Sequence, residues 1–430
     1  MKKINVGIIG FGTIGSAVVK TLKSRRAVLA NECGIDIKIS RICDKDLKPR
    51  RGVSVEKKLL TRSISKVLYD PQIDIVVELI GGIYPAKDVV LKALRSGKHV
   101  VTANKALLAE HGKEIFGLAN TLGLCVGFEA SVGGGIPIIR SIKEGFAANR
   151  MDLIYGIING TSNFILSKMS DDGISFRDAL AVAMKKGYAE RDPRLDVSGG
   201  DSAHKLSILA LLGFGIAARP SDIYVEGITD IEKDDIEYAR EMGYAIKLLA
   251  IAKRSAIGLE LRVHPTLIPL SRLISNVNGV YNAIFVKGDL IGENLFYGQG
   301  AGGAPTSSAV ISDILAIARC VCSGSSKVER CVPERKEALK IAKTEDVKTR
   351  YYIKFLAVDR PGVLAKISGV LAKYGISIAS VTQKARRAGS VVPIVMMTHE
   401  SVEKDIAKAL SEISRLKVIR KKIVRIRIEE

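Results

Sequence analysis

"GIIGFGTIGSAVV", residues 7–19, decides the fold of this chain. The residues before it, "INVGIIG" (4–10), form a short apolar run ending in glycine, which reads as a buried parallel strand. Gly10, Gly12 and Gly15 then follow in G-x-G-x-x-G spacing. The spacing alone is weak evidence. Directly after a strand and opening a helix, it has the context of a dinucleotide-binding turn. The glycines allow the tight turn, and the backbone from Gly10 through Phe11, Thr13 and Ile14 can approach a pyrophosphate at the helix N-terminus. A glycine turn without a ligand is the bland alternative. "MKKINVGIIGFG" also mimics the start of a signal peptide, but it lacks a small-residue cleavage site and is read as the strand.

Outward from this stretch, strands and helices alternate. "SAVVKTLKSR" reads as a helix, "IDIKISRICD" as a strand ending at Asp44, and "IDIVVELIG" (73–81) as a buried strand. "AKDVVLKALRSG" is a helix, "KHVVTA" a strand, "NKALLAEHGKEIFGLANTLG" a helix and "LCVGFEAS" a strand. Repeated strand–helix units predict an α/β, Rossmann-type parallel sheet over residues 1–135, with 300–322 returning to it as a long helix. Longer helices, near 136–149, 161–170, 175–187 and 201–217, mix with alternating strands over 136–299, which predicts an α+β substrate and dimerisation domain. Residues 323–349 read as a linker. Residues 350–430 form a further βαββαβ unit; in its last strand Val424, Ile426 and Ile428 face one side and Arg425 and Arg427 the other.

Composition narrows the class. A chain of 430 residues holds about two to four domains. Apolar content of 47% and charged content of 26% suit a soluble globular protein, expected in the cytoplasm. The net charge of +21 points either to nucleic acid or to acidic small molecules, or only to a basic surface. The basic residues are dispersed and no recognition module is present, so no nucleic-acid partner is expected. The longest apolar stretch, Ile208 to Ala218, is too short for a bilayer, so no membrane association is expected. Six cysteines make no disulfide framework. Cys320, Cys322 and Cys331 cluster without a nearby histidine and read as ordinary thiols, with a redox or metal role as the alternative.

Several motifs carry chemistry. The end of the second strand should read the adenosine ribose: Asp44 favours the free hydroxyl of NAD, whereas Lys45, Lys48, Arg50 and Arg51 favour the phosphate of NADP. The balance leans slightly to NADP. Lys105 follows a strand and opens a helix, at the sheet end where ligands bind. It is misplaced against the helix dipole, which favours function over a solvated surface lysine. Glu129 precedes the run Gly133–Gly135, which reads first as a flexible linker and second as a source of carbonyl oxygens for a hard cation. Thr161 begins a helix, or Asn159 caps it. The densest chemistry is "GYAERDPRLDVSGGDSAHKLSILA" (187–210), with Glu190, Asp192, Asp196, Asp201 and Lys205. Asp201 and Lys205 share a helix face. An exposed cap and ion pair would explain them locally, but not why they lead into an apolar helix. A lysine buried there has a depressed pKa and suits acid–base work. His204 lies about 100° round the helix from Lys205 and reads as a packing or supporting residue.

"GFGTIG", "VVTANKALLA", "FEASVGGGIPII", "INGTSNFIL", "GYAERDPRLDVSGGDSAHKLSILA" and "GQGAGGAPTSSAV" occur in order, and together they closely resemble the homoserine dehydrogenase family. "DRPGVLAKISGVLAKYGISIASVTQKA" resembles an ACT domain, a small-molecule sensor. The resemblance implies reversible NAD(P)H-dependent reduction of L-aspartate 4-semialdehyde to L-homoserine. It implies that Lys205 donates the proton and that Lys105 joins it in a relay near the nicotinamide, two close lysines lowering each other's pKa. Glu190, Asp196 and Asp201 would hold the substrate ammonium or orient the lysines, and Gly156 and Thr161 would border the substrate. Glu129, Val132, Gly134 and Ile136 match positions whose backbone carbonyls bind a monovalent cation, Na⁺ or K⁺. Gly302 would approach the cofactor. The ACT-like unit implies feedback by threonine or another amino acid at the turn holding Pro361 and Gly362, and a homodimer or homotetramer.

Two other readings compete. An ACT-bearing 2-hydroxy-acid dehydrogenase needs a catalytic histidine, and the five histidines lack that family's surroundings. An amino-acid-sensing, nucleic-acid-binding regulator would draw on the ACT-like unit and the positive charge.

Overall fold

The computed structural model describes residues 2–47, 52–323, 332, 339–384 and 390–429. Lys48, Arg50, Arg51, Cys331 and most of the expected linker therefore lie outside the described residues. The chain divides into two units, one built from Met1–Met151, His204–Pro220 and Lys287–Ala338, the other from Asp152–Ala203, Ser221–Val286 and Leu339–Glu430.

In the first unit β1 (Lys2–Ile9) is central. Its alternate residues Ile4, Val6 and Ile8 are buried against both neighbours. With β2 (Ile35–Cys43), β3 (Leu60–Thr61), β4 (Ile75–Glu78), β5 (His99–Thr102) and β6 (Val126–Gly127) it forms a wholly parallel sheet in the order β3–β2–β1–β4–β5–β6. That order reverses beside β1, which leaves a crevice at the carboxyl ends of β1 and β4. The crossovers carry α1 (Thr13–Ser24), α2 (Arg26–Cys33), α3 (Ser65–Leu68), α4 (Ala86–Arg95) and α5 (Lys105–Leu122). The parallel Rossmann sheet expected from the sequence is present. The sequence reading missed α2, which Gly34 ends with a positive φ of 68°, and the two-residue strand β3.

Two expected elements are shorter than their apolar patterns suggested. The strand over "LCVGFEAS" is only β6, and Glu129–Ser131 turns into a 3₁₀ helix. Asp313 explains the break. Its Oδ2 accepts the Glu129 N–H at 2.8 Å, and a Cβ on Gly127 would lie 2.6 Å from the Asp313 Cβ. The helix expected over 136–149 is a single turn, α6 (Ile138–Arg140), continued by a π-turn over Ser141–Gly145.

The second unit contains β7 (Met151–Ile157), α7 (Gly160–Asp172), α8 (Phe176–Lys185) and α9 (Arg194–Val197). The helix α10 (Gly200–Phe214) starts in this unit and continues into the first, stopping before Gly215, whose φ is 74°. Next come β8 (Tyr224–Val225), α11 (Lys233–Glu241), β9 (Tyr244–Ser255), β10 (Gly258–Pro269) and β11 (Tyr281–Gly288). Then β12 (Gly292–Gln299) and α12 (Gly303–Ser323) lie in the first unit. Among the described residues α12 is long and apolar enough to cross a membrane by length and composition. Its Val310, Ile314 and Ile317 are nevertheless buried in one core with Val18 and Val19 of α1.

The C-terminal stretch is the expected βαββαβ unit: β13 (Lys348–Val358), α13 (Val363–Lys373), β14 (Ile378–Thr382), β15 (Val391–Thr398), the short β16 (Ser401–Val402), α14 (Glu403–Ser414) and β17 (Val424–Ile428). Its antiparallel order is β17–β13–β15–β14, with β16 paired to β13. Tyr351, Ile353 and Phe355 pack on Ile367 and Leu371 of α13 and Ile406 of α14.

This sheet does not stop at its own edge. β17 also pairs in parallel with β10, so the second unit's strands run β11–β7–β9–β10–β17–β13–β15–β14. The Arg425/Arg427 face of β17 is consequently not a face toward water. Arg427 is fully buried, with Nε and Nη2 on the Glu403 carboxylate at 2.9 and 2.6 Å and Nη1 on Glu226 at 2.9 Å. Arg262 of β10 is equally buried, 2.8 Å from Glu260 and 2.7 Å from Glu429. Buried charges persist only when paired and hydrogen-bonded in this way.

Candidate active site

Two glycines of the turn are fixed by the chain's own backbone and the third is open. A Cβ on Gly10 (φ 103°) would meet the Leu79 carbonyl oxygen at 2.4 Å, and one on Gly15 would meet the Gly10 oxygen at 2.1 Å. Both glycines are therefore required for the turn itself. Gly12 differs: it has nothing within 4 Å of such a Cβ, and with Thr13 it is exposed. Gly12 is the N-cap of α1, with no side-chain cap and no acid in the first turn. The donors of that turn are thus directed to an anion from outside, which is the fit a dinucleotide pyrophosphate requires. Phe11 is buried and anchors the turn in the core.

Asp44 sits at the end of β2, as expected, but its carboxylate has a local task. Oδ2 accepts the Phe11 N–H at 2.6 Å and Oδ1 accepts the Asp46 N–H at 2.9 Å. It fixes the glycine turn to the second strand. Lys45 is exposed beside it. From the returning segment, Gly302 (φ 121°) leads into α12, and a Cβ on Gly303 would pack 3.5 Å from Ala17 of α1.

Lys105 begins α5 on a platform that the sequence reading did not single out. Glu78, fully buried at the end of β4, accepts from the Thr102 hydroxyl at 2.7 Å and from the Ile80 N–H at 2.7 Å. Thr102 Oγ1 in turn accepts the Asn104 N–H at 3.0 Å. Asn104 caps α5 through the Leu107 N–H and donates to the Gly82 carbonyl. Burial raises the Glu78 carboxyl above the ordinary range, and these donors pull it back. Lys105 is half-buried; α5 packs on α10, where a Cβ on Gly112 would reach Leu211 at 4.0 Å.

The carboxylates of the dense motif meet at Asn159. This residue ends the β7 connection and caps α7, its Oδ1 accepting the Ser162 N–H at 2.8 Å. Its Nδ2 donates to Asp196 at 2.8 Å and to Asp201 at 2.9 Å. The sequence pattern reveals the cap; the bridge depends on residues 37 and 42 positions away. Asp201 and Lys205 are buried at 3% and 8% exposure, one turn apart on α10, so the exposed ion pair weighed from sequence is not what the fold makes. Ser162 Oγ holds the Asp196 carbonyl at 3.0 Å, and Thr161 Oγ1 donates to the Tyr188 carbonyl at 2.6 Å. Glu190 is exposed, and His204 is half-buried. Gly156 has a packing reason of its own: a Cβ there would lie 2.6 Å from the Ala283 oxygen on β11.

The run after β6 is held from two sides. Glu129 is buried, its carboxylate accepting the Ile139 and Arg140 N–H groups at 2.8 and 2.9 Å. Burial raises both Glu129 and Asp313, the latter to about 7. Gly134 (φ 58°) lies under Gly300, whose oxygen a Cβ would meet at 2.5 Å, and Gly135 donates to the Gln299 carbonyl at 3.0 Å. Val132 and Ile136 are buried. With the Glu129 carboxylate occupied, a cation here would rely on backbone carbonyls. Among the described residues no three His, Cys, Asp or Glu side chains form a metal cluster, and Cys320 and Cys322 are thiols.

A doubly wound sheet with an uncapped glycine turn, in a chain that also holds a carboxylate cluster and a buried lysine on α10, defines a nicotinamide-dependent dehydrogenase. Family models agree in detail: "Homoserine dehydrogenase, NAD binding domain" matches residues 10–129, "Homoserine dehydrogenase" 137–315 and "ACT domain" 351–418. The homoserine dehydrogenases of Pseudomonas aeruginosa and Neisseria gonorrhoeae are 45% and 44% identical to the chain. Each alignment covers 100% of the chain, with 100% and 99% of the respective relative. The crystal structure of a homoserine dehydrogenase from Thiobacillus denitrificans superposes with a TM-score of 0.95 at 45% identity, covering 100% of this chain and 99% of that one. The chain belongs to the homoserine dehydrogenase family, oxidoreductases that interconvert L-aspartate 4-semialdehyde and L-homoserine with a nicotinamide cofactor.

Proposed function

We propose that Lys205 is the acid that protonates the aldehyde oxygen of L-aspartate 4-semialdehyde. The bound nicotinamide supplies the hydride to the carbonyl carbon. Lys205 gives up its proton from a water-poor helix face, and Lys105, on the Glu78–Thr102–Asn104 platform, completes the proton relay. Asp196 and Asp201 hold the substrate ammonium, with Glu190 closing over it from its exposed loop and Thr161 and Gly156 at the border. Gly10 to Gly15, Lys45 and Gly302 hold the dinucleotide, and Asp44 keeps the turn in shape. The basic loop after Asp44 favours NADP over NAD. Backbone carbonyls of Glu129, Val132, Gly134 and Ile136 bind Na⁺ or K⁺, which braces the glycine run that carries the chain from one domain to the next. The domain limits expected from sequence, 1–135, 136–299 and 350–430, remain the proposed functional division.

The ACT unit senses an amino acid, threonine first among candidates. Its turn supports this reading: Gly362 (φ 82°) is an exposed N-cap of α13 with no side-chain cap and no acid in the first turn. The working form is a homodimer or homotetramer in the cytoplasm.

The observation that carries the catalytic assignment is the Asn159 amide, which gathers Asp196 and Asp201 one turn before the buried Lys205. The test is paired oxidation of NADPH and NADH with L-aspartate 4-semialdehyde by the wild type and by Lys205→Ala. Turnover of the semialdehyde that survives Lys205→Ala would refute the acid, and faster turnover with NADH would refute the NADP preference.

A further inference from the structure

The segment 277–281, which runs into β11, lies across the first turns of α7 and is held there by donors from two sides. From α7, Asn163 Nδ2 reaches the carbonyl oxygens of Val277 at 3.1 Å, Gly279 at 3.0 Å and Tyr281 at 3.1 Å. Ser167 Oγ accepts the Gly279 N–H at 3.0 Å and donates to the Asn163 carbonyl at 2.8 Å. From β9 comes Lys247, whose Nζ donates to the Val277 carbonyl at 2.7 Å and to Asn278 Oδ1 at 2.8 Å. An amide NH₂ has only two hydrogens to share among three carbonyls, so the lysine is the firmer donor to Val277.

Lys247 is only 3% exposed. Among the described residues it forms no ion pair, and Asp171 of α7 attracts it only through space. Burying an ammonium in this way is costly. What the lysine adds over an apolar side chain of similar length is its two charged donors, and both end on the loop. The loop in turn reaches the carboxylate cluster. A Cβ on Gly160 would lie 2.7 Å from the Val280 oxygen, so the loop backbone rests directly on the start of α7. Gly160 stands between Asn159, which ties Asp196 to Asp201, and Thr161.

We propose that Lys247 is a positioning residue for the reduction: its ammonium draws residues 277–281 onto α7, and the loop sets Asn159 and Thr161 where the substrate ammonium is held. The proposal rests on the substrate-site reading given above and deepens it. Lys247 acts through the loop and not on reacting atoms. Its loss therefore loosens substrate binding and leaves the chemical step and the cofactor turn as they are, which places the effect on KM.

The test is steady-state kinetics of the full chain with L-aspartate 4-semialdehyde and NADPH, beside a fluorescence titration of NADPH. Lys247→Met keeps most of the side-chain volume and removes both donors. Asn278→Ala removes one acceptor from an exposed residue and leaves the lysine in place. Ser170→Ala is the control: it lines the same cavity of about 170 Å³ as Lys247, without a bond to the loop. The expected result is a KM raised at least fivefold by Lys247→Met and at least threefold by Asn278→Ala. Turnover and the NADPH dissociation constant stay within twofold in both, and Ser170→Ala leaves all three within twofold. In the double variant of Lys247 and Asn278 the rise in KM should fall short of the product of the single effects, because both act on one clamp. A full product overturns the shared clamp, and a fall in turnover with KM unmoved overturns positioning. Should Lys247→Met fail to fold, Asn278→Ala decides, and an unmoved KM there overturns the proposal. KM unmoved by the loop variants but raised by Asn159→Ser overturns the clamp and leaves the substrate-site reading standing. KM unmoved by all of them overturns both.

Discussion

Replacing Asn159 separates its two tasks. Serine keeps an N-cap oxygen for the Ser162 N–H but cannot donate to two carboxylates; alanine loses both functions. The bridge consists of two donated hydrogen bonds to acids, at 2.8 and 2.9 Å, one onto the buried Asp201. Hydrogen bonds to charged groups are worth about 1.5–3 kcal/mol each. Because the half-buried Asp196 can recover some hydration, Asn159→Ser should cost about 3 kcal/mol. Loss of the cap adds about 1 kcal/mol, so Asn159→Ala should cost about 4 kcal/mol. Urea unfolding at constant pH measures both. The same variants should raise KM for L-aspartate 4-semialdehyde more than tenfold while leaving the dissociation constant of NADPH unchanged. An Asn159→Ser enzyme within about 1 kcal/mol of wild type, with its KM within twofold, would refute the bridge as the organiser of the site.

Four further outcomes are expected. Lys205→Ala should retain cofactor binding and lose nearly all turnover; retention of more than about a tenth, a barrier change under about 1.4 kcal/mol, would remove Lys205 as the acid. Gly15→Ala should abolish NADPH binding in a fluorescence titration, because its Cβ would stand 2.1 Å from the Gly10 oxygen. Burial lowers Lys247 from 10.5 to about 8. Between those values the unfolded chain holds more protons, so stability should rise with pH by up to about 3 kcal/mol. Urea midpoints from pH 7.5 to 10.5 should show this slope in the wild type and lose it in Lys247→Met, while equal slopes would refute the assignment. Exchange of Na⁺ and K⁺ for tetramethylammonium should lower turnover, and full activity in that buffer would exclude the carbonyl site.

The Rossmann half was legible because its signals are local. The β1 run, the glycine spacing and Gly97 or Gly123 after a helix each act within a few residues. The burial of Asp201 and Lys205 was also legible, since the helix that follows them is apolar on nearly every face. What stayed hidden depends on partners distant in sequence. The brevity of β6 comes from Asp313 on α12, and Gly156 owes its lack of a side chain to β11. Asp44 matched a ribose-reading position, yet its carboxylate serves the turn. The charged alternation of β17 resembles any edge strand, and nothing near it announces that Glu226 and Glu403 will enclose Arg427.

The double pairing of β17 also governs how the chain assembles. Residues 266–267 of β10 are made long before residues 427–428, yet they receive their parallel neighbour only from that last strand. Pairings so remote in sequence close slowly. Until β17 arrives, residues 266–267 of β10 and the facing edge of β13 lack this neighbour, Glu226 and Glu403 lack Arg427, and Arg262 lacks Glu429. The β7–β9–β10 sheet and the ACT sheet are therefore completed in one late event, and the newly made chain must keep both edges from other strands until then.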